Sequence, residues 1–255
     1  MKSLENKVAI ITGAGAGLGK AIAILFAQAG AKVVAADINE KTLGELSTAL
    51  TEQQATYTTV MADMAKAGDI EMMVQTAVST YGTVDILVNN AGVMDNFELT
   101  ADVTDQVWDR VMRINLDGPF KTMRAALQIM LVKKSGVIIN IASIGGLQGA
   151  RAGAAYTASK HALIGLTKNT GYVYAKSGIR CNAIAPGAMN TSIAATIDMQ
   201  HLSPLVTERI LPGMALNPRA ADPLEVARTA LFLASDEASF INGAVLVADG
   251  GWTAY

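Results

Sequence analysis

The chain has 255 residues, a length that suits one large α/β unit or two small domains. Hydrophobic residues make up 51% of it and charged residues 16%, which provides ample material for a core and excludes extensive disorder. The 20 Lys and Arg against 22 Asp and Glu give a net charge of -2 without any basic block, which excludes a nucleic-acid-binding protein.

Short apolar runs rich in Val and Ile alternate with longer segments of helical period. The runs predict strands at 8–12, 32–37, 56–63, 85–90, 136–143, 179–186 and 244–249, and most are apolar on both faces, as buried parallel strands are. The helical segments are 18–30, 40–52, 66–80, 104–133, 154–176 and 223–234. The alternation predicts one domain over residues 1–255, a Rossmann-type, doubly wound parallel sheet of seven strands with helices on both faces.

The segment TGAGAGLGK follows the first strand and opens the first helix, where free N–H groups and the positive end of the helix dipole attract anions. A P-loop is excluded because Ala14 and Ala21 stand where that motif requires Gly and Ser or Thr. The G-x-G-x-x-G spacing fails as well. What remains is G-x-x-x-G-x-G, formed by Gly13, Gly17 and Gly19. Its place between strand and helix favours dinucleotide binding over a glycine-rich turn without a ligand.

Asp37 ends the second predicted strand. A carboxylate there can accept hydrogen bonds from both hydroxyls of an adenosine ribose, and it repels a 2′-phosphate. We therefore expect NAD rather than NADP, with a solvent-facing strand-end Asp as the alternative interpretation.

The stretch AAYTASKHA places Tyr156 and Lys160 four residues apart, on one face of a helix. A free phenol, with a pKa of about 10, is a poor base at neutral pH, and a neighbouring ammonium group lowers that value. The pair is therefore a candidate acid/base site. By itself, the spacing is more typical of a surface Tyr/Lys pair on an amphipathic helix.

A long segment without a predicted strand, 188–222, follows the sixth strand. Its methionines and prolines are Met189, Met199, Met214, Pro204, Pro212 and Pro218. We predict a substrate-binding lid within the domain, the alternative being a packing excursion. The few charges of the segment favour an apolar or weakly polar substrate.

Five motifs occur in order: TGAGAGLG, NNAG (89–92), Ser143, YTASK and PGAMNT (186–191). Together they resemble the short-chain dehydrogenase/reductase family in its short single-domain branch, and the ending LVADGGWTAY is similar to the family's last strand. The resemblance covers nearly the whole chain and implies hydride transfer between NAD(H) and a secondary alcohol or ketone.

The resemblance also implies residue roles. Tyr156 is expected to be the general acid/base, while Lys160 stabilises its phenolate and holds the nicotinamide ribose. Ser143 is expected to orient the substrate oxygen, and Asn115 to position a water for proton relay. The cofactor contacts it implies cluster at the carboxyl ends of parallel strands. They are Gly13, Gly17, Leu18, Gly19, Asp37, Asp63, Met64, Asn90, Ala91, Gly92, Tyr156, Lys160, Pro186, Gly187, Met189 and Thr191.

Two other functions use the same kind of fold. An NAD(H)-binding sensor without turnover would keep the fold, but such family members usually lack the Tyr or the Lys, and here both are present. A nucleotide-sugar epimerase or dehydratase would need a larger carboxy-terminal domain. Among alcohols and ketones the substrate stays open, from cyclic alcohols and diketones to steroids, sugars and 3-oxoacyl thioesters.

The sequence also bears on disulfides, metal sites, membrane spans and assembly. Cys181 is the single cysteine, so an internal disulfide is excluded, and no cluster of His, Cys or carboxylates has the spacing of a metal site. Asn, Gly and Pro interrupt the longest uncharged stretches, which predicts no membrane span or secretion signal. We expect a cytoplasmic protein, and the family resemblance implies a homotetramer packed through 104–133, 154–176 and the last strand.

Overall fold

The computed structural model describes residues 3–191, 197 and 202–255. Its strands are β1 (Val8–Thr12), β2 (Lys32–Asp37), β3 (Tyr57–Met61), β4 (Ile86–Asn89), β5 (Gly136–Ile141), β6 (Ile179–Pro186) and β7 (Val245–Ala248). They form one parallel sheet in the order β3-β2-β1-β4-β5-β6-β7. The chain runs outward from β1 in both directions, so the crevice between the carboxyl ends of β1 and β4 is the topological switch point where open α/β sheets bind ligands.

Helices cover both faces of this sheet, which confirms the predicted fold class. They are α1 (Gly17–Gln28), α2 (Glu40–Glu52), α3 (Ala67–Tyr81), α4 (Asp105–Met112), α5 (Gly118–Lys133), α6 (Ala154–Tyr174), α7 (Pro204–Arg209), α8 (Leu211–Met214) and α9 (Pro223–Ala234). Successive strand residues point to opposite faces. Ile11 packs in the core under α1, α2 and α9, and its neighbour Ile10 in the core under α3 and α5.

The predicted helix 104–133 is interrupted by a π-helical turn, Arg113–Asp117, between α4 and α5. The apolar period did not reveal this turn, because five residues are too few to establish a different period. Such turns are frequent at functional sites. Here the turn carries the buried Asn115 and places it beside the loop that follows β4.

The predicted lid, 188–222, is joined at its base. Met189 and Ala221 form an isolated parallel bridge, and Asn190 N donates to Ala221 O at 3.0 Å. Residues 192–196 and 198–201 of this segment lie outside the described residues, so its role as a lid stays a prediction. In the described part of the chain, no helix is long and apolar enough to cross a membrane.

Candidate active site

A cleft of about 530 Å³ opens at the carboxyl ends of the central strands. It is lined by most of the residues predicted to bind cofactor or substrate, from Asp37 at one end to Ser143, Tyr156 and Lys160 further along. Gly19 and Asn115 are the predicted residues that stand behind its wall rather than in it. The fold therefore brings together residues spread over most of the chain.

The glycine loop is packed too closely for side chains. A Cβ at Gly19 would lie 2.0 Å from Gly13 O, and one at Gly13 would lie 2.9 Å from Ala91 Cα. Gly13 also has a positive φ of 64°, which L side chains rarely adopt. Asn90 braces the loop, since its side-chain Nδ2 donates to Thr12 O at 2.9 Å and to Gly13 O at 3.0 Å.

Helix α1 presents an open N-terminus to the cleft. No side chain caps it, its first turn carries no acidic residue, and Gly17 and Leu18 line the cleft. Opposite Gly17 lies Thr191, whose hydroxyl oxygen is buried without a hydrogen-bond partner in the described chain. Free N–H groups at a helix start, with an unused hydroxyl beside them, fit the phosphates and amide of a dinucleotide.

The Asp37 carboxylate is fixed in orientation at the edge of the cleft. Its Oδ2 accepts a hydrogen bond from Gly15 N at 2.8 Å, and its Oδ1 accepts one from Asn39 N at 2.9 Å. The spacing motif formed by Gly13, Gly17 and Gly19 assigns no role to Gly15. A Cβ there would lie 2.2 Å from Thr42 Oγ1 and 3.0 Å from Asp37 Cγ, so a side chain would displace the carboxylate. The sequence does show that Gly15 is a glycine of this loop that the motif does not require.

Tyr156 and Lys160 lie one turn apart on α6 and are both buried. Lys160 Nζ is 5.6 Å from the centroid of the Tyr156 ring and donates to Ile141 O at 2.7 Å. Ser143 follows β5, and its Oγ accepts a hydrogen bond from Gly145 N at 3.0 Å. The three side chains thus converge from one helix and one strand end.

Burial dominates the protonation of this group. It raises the pKa of Tyr156 to about 12, an effect that the Ser143 hydroxyl opposes and the negative charge of Asp95 reinforces. It lowers the pKa of Lys160 to about 8. The sequence pattern predicted that Lys160 lowers the pKa of the phenol below its ordinary value, whereas burial raises that pKa. At neutral pH Tyr156 is a protonated phenol, ready to donate.

Asn115 connects the loop after β4 to α6. Its Oδ1 accepts a hydrogen bond from Val93 N at 2.9 Å, and its Nδ2 donates to Val93 O at 2.9 Å and to Ser159 Oγ at 3.2 Å. A Cβ at Gly92 would lie 3.3 Å from Asn115 Oδ1 and 3.5 Å from Lys160 Nζ. Asn115 therefore borders the lysine through Gly92, and its part in a proton relay stays a prediction.

Asp95 is a site residue that the sequence analysis did not find. It is fully buried, and its carboxylate accepts hydrogen bonds from Phe97 N at 3.2 Å, Gly153 N at 3.1 Å and Tyr156 N at 2.8 Å. Burial raises the pKa of Asp95, and these backbone N–H groups oppose the rise. Helix α6 begins after Gly153 without a side-chain cap of its own. Because Gly153 has no side chain to accept these hydrogen bonds, the sequence indicates that another segment provides the acceptor.

A parallel sheet with a cleft at its topological switch point is the architecture of the dinucleotide-binding α/β class. A family model described as enoyl-(acyl carrier protein) reductase matches residues 13–253. Relatives over the whole length are named short-chain dehydrogenases/reductases, such as one from Penicillium canescens that is 39% identical over 99% of both chains. The chain belongs to the short-chain dehydrogenase/reductase family.

Two further relatives indicate the chemistry found among similar proteins. The 3beta-hydroxysteroid dehydrogenase 2 of Eggerthella lenta is 45% identical, over 99% of this chain and 96% of its own. The crystal structure of a levodione reductase superposes with a TM-score of 0.90 at 35% identity, covering 99% of this chain and 100% of that one. Both names denote enzymes that oxidise alcohols or reduce ketones.

Proposed function

We propose that the protein interconverts a secondary alcohol and a ketone with NAD(H), and that Tyr156 exchanges the proton with the substrate oxygen. The observation that carries the proposal is the buried group of Ser143, Tyr156 and Lys160 in the same cleft as Asp37. Hydroxysteroid and levodione enzymes among its relatives support a substrate of this class. The cytoplasmic location and the homotetramer expected from the sequence stay predictions.

The residues of the cleft fit a nicotinamide dinucleotide, which when bound supplies or accepts the hydride. The N–H groups of Gly17 and Leu18 would hold its phosphates, and the unpartnered hydroxyl of Thr191 would serve its amide end. Asp37 would accept hydrogen bonds from the adenosine ribose, and its charge disfavours the 2′-phosphate of NADP. Asp63 and Met64 line the cleft between these points and would contact the adenine.

The roles of the chain's own residues follow from their protonation. In ketone reduction, the protonated Tyr156 donates its proton to the substrate oxygen, which the Ser143 hydroxyl orients by a second hydrogen bond. In alcohol oxidation, the Tyr156 phenolate takes the proton back. Lys160 lies one turn away, so its positive charge stabilises the phenolate that reduction leaves behind. The oxidation rate is therefore expected to rise with pH.

Replacing Tyr156 tests the proposal. Tyr156→Phe keeps the ring and removes the hydroxyl, and we expect turnover to fall by about 10²- to 10⁴-fold because general acid/base catalysis contributes that much. The measurement is nicotinamide absorbance with a panel of secondary alcohols and ketones, together with NADH affinity by fluorescence, which we expect to stay unchanged. Tyr172→Phe, at an exposed tyrosine on the same helix, is the matched control.

Two outcomes would contradict this assignment. A Tyr156→Phe variant that keeps more than about a tenth of the wild-type rate would remove Tyr156 from proton transfer. Wild-type protein that binds NADH but turns over no member of the panel would favour a nucleotide sensor instead.

A further inference from the structure

Arg151 is a buried cation beside the catalytic group. It precedes α6, lines the cleft and is 7% exposed. Its Nε donates to Gln148 Oε1 at 2.8 Å, and its Nη2 donates to Tyr255 OH at 2.8 Å. The guanidinium also lies 4.8 Å from the centroid of the Trp252 ring. These contacts fix the plane of the guanidinium.

None of these contacts neutralises the charge. Gln148 offers an amide oxygen and Tyr255 a hydroxyl, and no carboxylate of the described chain lies within ion-pair distance of Arg151. Buried arginines are rarely left without an anionic partner, because a desolvated charge is costly unless it is paired. Arg151 Nη1 also has no acceptor in the described part of the protein. The cation therefore has both charge and hydrogen-bond donors to offer.

The absence of a side chain at Gly213 leaves room for the Arg151 guanidinium. A Cβ at Gly213 would lie 2.7 Å from Arg151 Nη1, so the guanidinium occupies space that a side chain on α8 would fill. Gly213 O in turn accepts a hydrogen bond from Trp252 Nε1 at 3.0 Å, which ties α8 to the segment that stacks on Arg151. The guanidinium is thus held between three separate segments of the chain.

Charges along the cleft are unequally distributed. Its acidic lining residues are Asp37 and Asp63, which follow β2 and β3 at the expected adenosine end. Trp252 lies against the Arg151 guanidinium, and Met214 follows Gly213 beside it, so two apolar lining residues adjoin this cation. In such surroundings, a positive charge acts strongly on a ligand because little water screens it.

We propose that Arg151 binds a carboxylate on the substrate, so that the protein acts on secondary alcohols or ketones with an apolar body and an acidic group. The inference rests on the proposed function and refines the weakly polar substrate expected from the sequence. A guanidinium matches the planar geometry of a carboxylate with two parallel hydrogen bonds, which a lysine cannot do. The apolar lining and the Arg151 guanidinium would then recognise the two parts of one molecule.

The test measures ligand binding to the protein–NADH complex, by fluorescence, with two matched pairs. One pair is a cyclohexanone bearing a ring carboxylate and its methyl ester, and the other is a ketosteroid bearing a side-chain carboxylate and its methyl ester. We expect wild-type protein to bind the acid about tenfold or more tightly than the ester in at least one pair. Arg151→Gln should abolish that preference while changing ester affinity by less than about threefold.

Two variants separate recognition from structure. Arg151→Lys keeps the charge without the planar fork and should retain only part of the preference. Arg110→Gln removes another cation that lines the cleft, an exposed one whose Nη2 donates to Met94 O at 2.9 Å, and should leave the preference in place. Unchanged NADH affinity in each variant shows that it is folded.

The outcomes distinguish this inference from the proposed function. NADH binding by the wild type without a preference for either acid overturns the inference alone, as does an equal loss of acid and ester affinity in Arg151→Gln. Retention of the full preference in Arg151→Gln overturns it too. Wild-type protein that binds no NADH would overturn the proposed function and this inference together.

Discussion

Asp37 sets the charge of one end of the cleft, and two backbone N–H groups hold it there. Asp37→Asn keeps the size of the side chain and removes the negative charge. Like charges a few ångströms apart in a partly exposed site repel by about 1 to 4 kcal/mol, so we expect the ratio of kcat/KM with NAD to that with NADP to fall about tenfold or more. Steady-state kinetics with both cofactors measures it.

A second carboxylate supplies the control. Asp63 lines the same cleft, and its Oδ1 accepts a hydrogen bond from Ala65 N at 2.9 Å. Asp63→Asn is expected to leave the cofactor ratio nearly unchanged, since the proposal places it at the adenine. An unchanged ratio in Asp37→Asn would remove Asp37 from cofactor discrimination. Asp37 was predictable because it ends a strand, whereas the way Gly15 orients its carboxylate depends on a contact between distant segments.

The start of α6 shows how one element is fixed by another. Asp95, from the loop after β4, accepts a hydrogen bond from the Tyr156 backbone, and its negative charge raises the pKa of the Tyr156 phenol. Removing that charge in Asp95→Asn lowers the phenol pKa. We therefore expect the fall of ketone reduction at high pH, where the phenol loses its proton, to move to lower pH.

The pH profile of kcat/KM for ketone reduction checks this expectation. Asp102→Asn, an exposed carboxylate farther along the same loop, is the matched control and should not move the profile. A lower rate with an unmoved profile would show that Asp95 acts only as a cap, whose loss costs helices about 1 kcal/mol. A profile displaced to higher pH would contradict the electrostatic role.

At the scale of the whole molecule, the sequence predicted what periodicity encodes. Strands apolar on both faces, such as β1 with Ile10 and Ile11, can only be buried between two helical layers. Contacts between distant segments leave no periodic trace, and the Asp95–Tyr156 and Arg151–Tyr255 hydrogen bonds are of that kind. The π-helical turn at Asn115 was invisible for a different reason, because its five residues are too few to establish a separate apolar period.

The last prediction concerns the stability cost of the site. Burial lowers the pKa of Lys160 from 10.5 to about 8, so between these values the unfolded chain binds a proton that the folded chain has lost. The free energy of unfolding contributed by this group therefore rises with pH across that window. Lys160→Met removes the buried amine, and we expect the variant to be relatively more stable near neutral pH.

The difference in free energy of unfolding between Lys160→Met and the wild type should fall by about 2 to 3 kcal/mol as the pH is raised from about 7 to about 10. The shift of the lysine pKa corresponds to about that free energy. Urea unfolding at the two pH values measures it, with Lys168→Met, at an exposed lysine on the same helix, as the control. A stability difference that does not change with pH would mean that Lys160 has the same pKa in the folded and the unfolded chain. A difference that narrows would show that the fold tolerates an unfavourable buried lysine, a cost that the proposed role of Lys160 beside Tyr156 would explain.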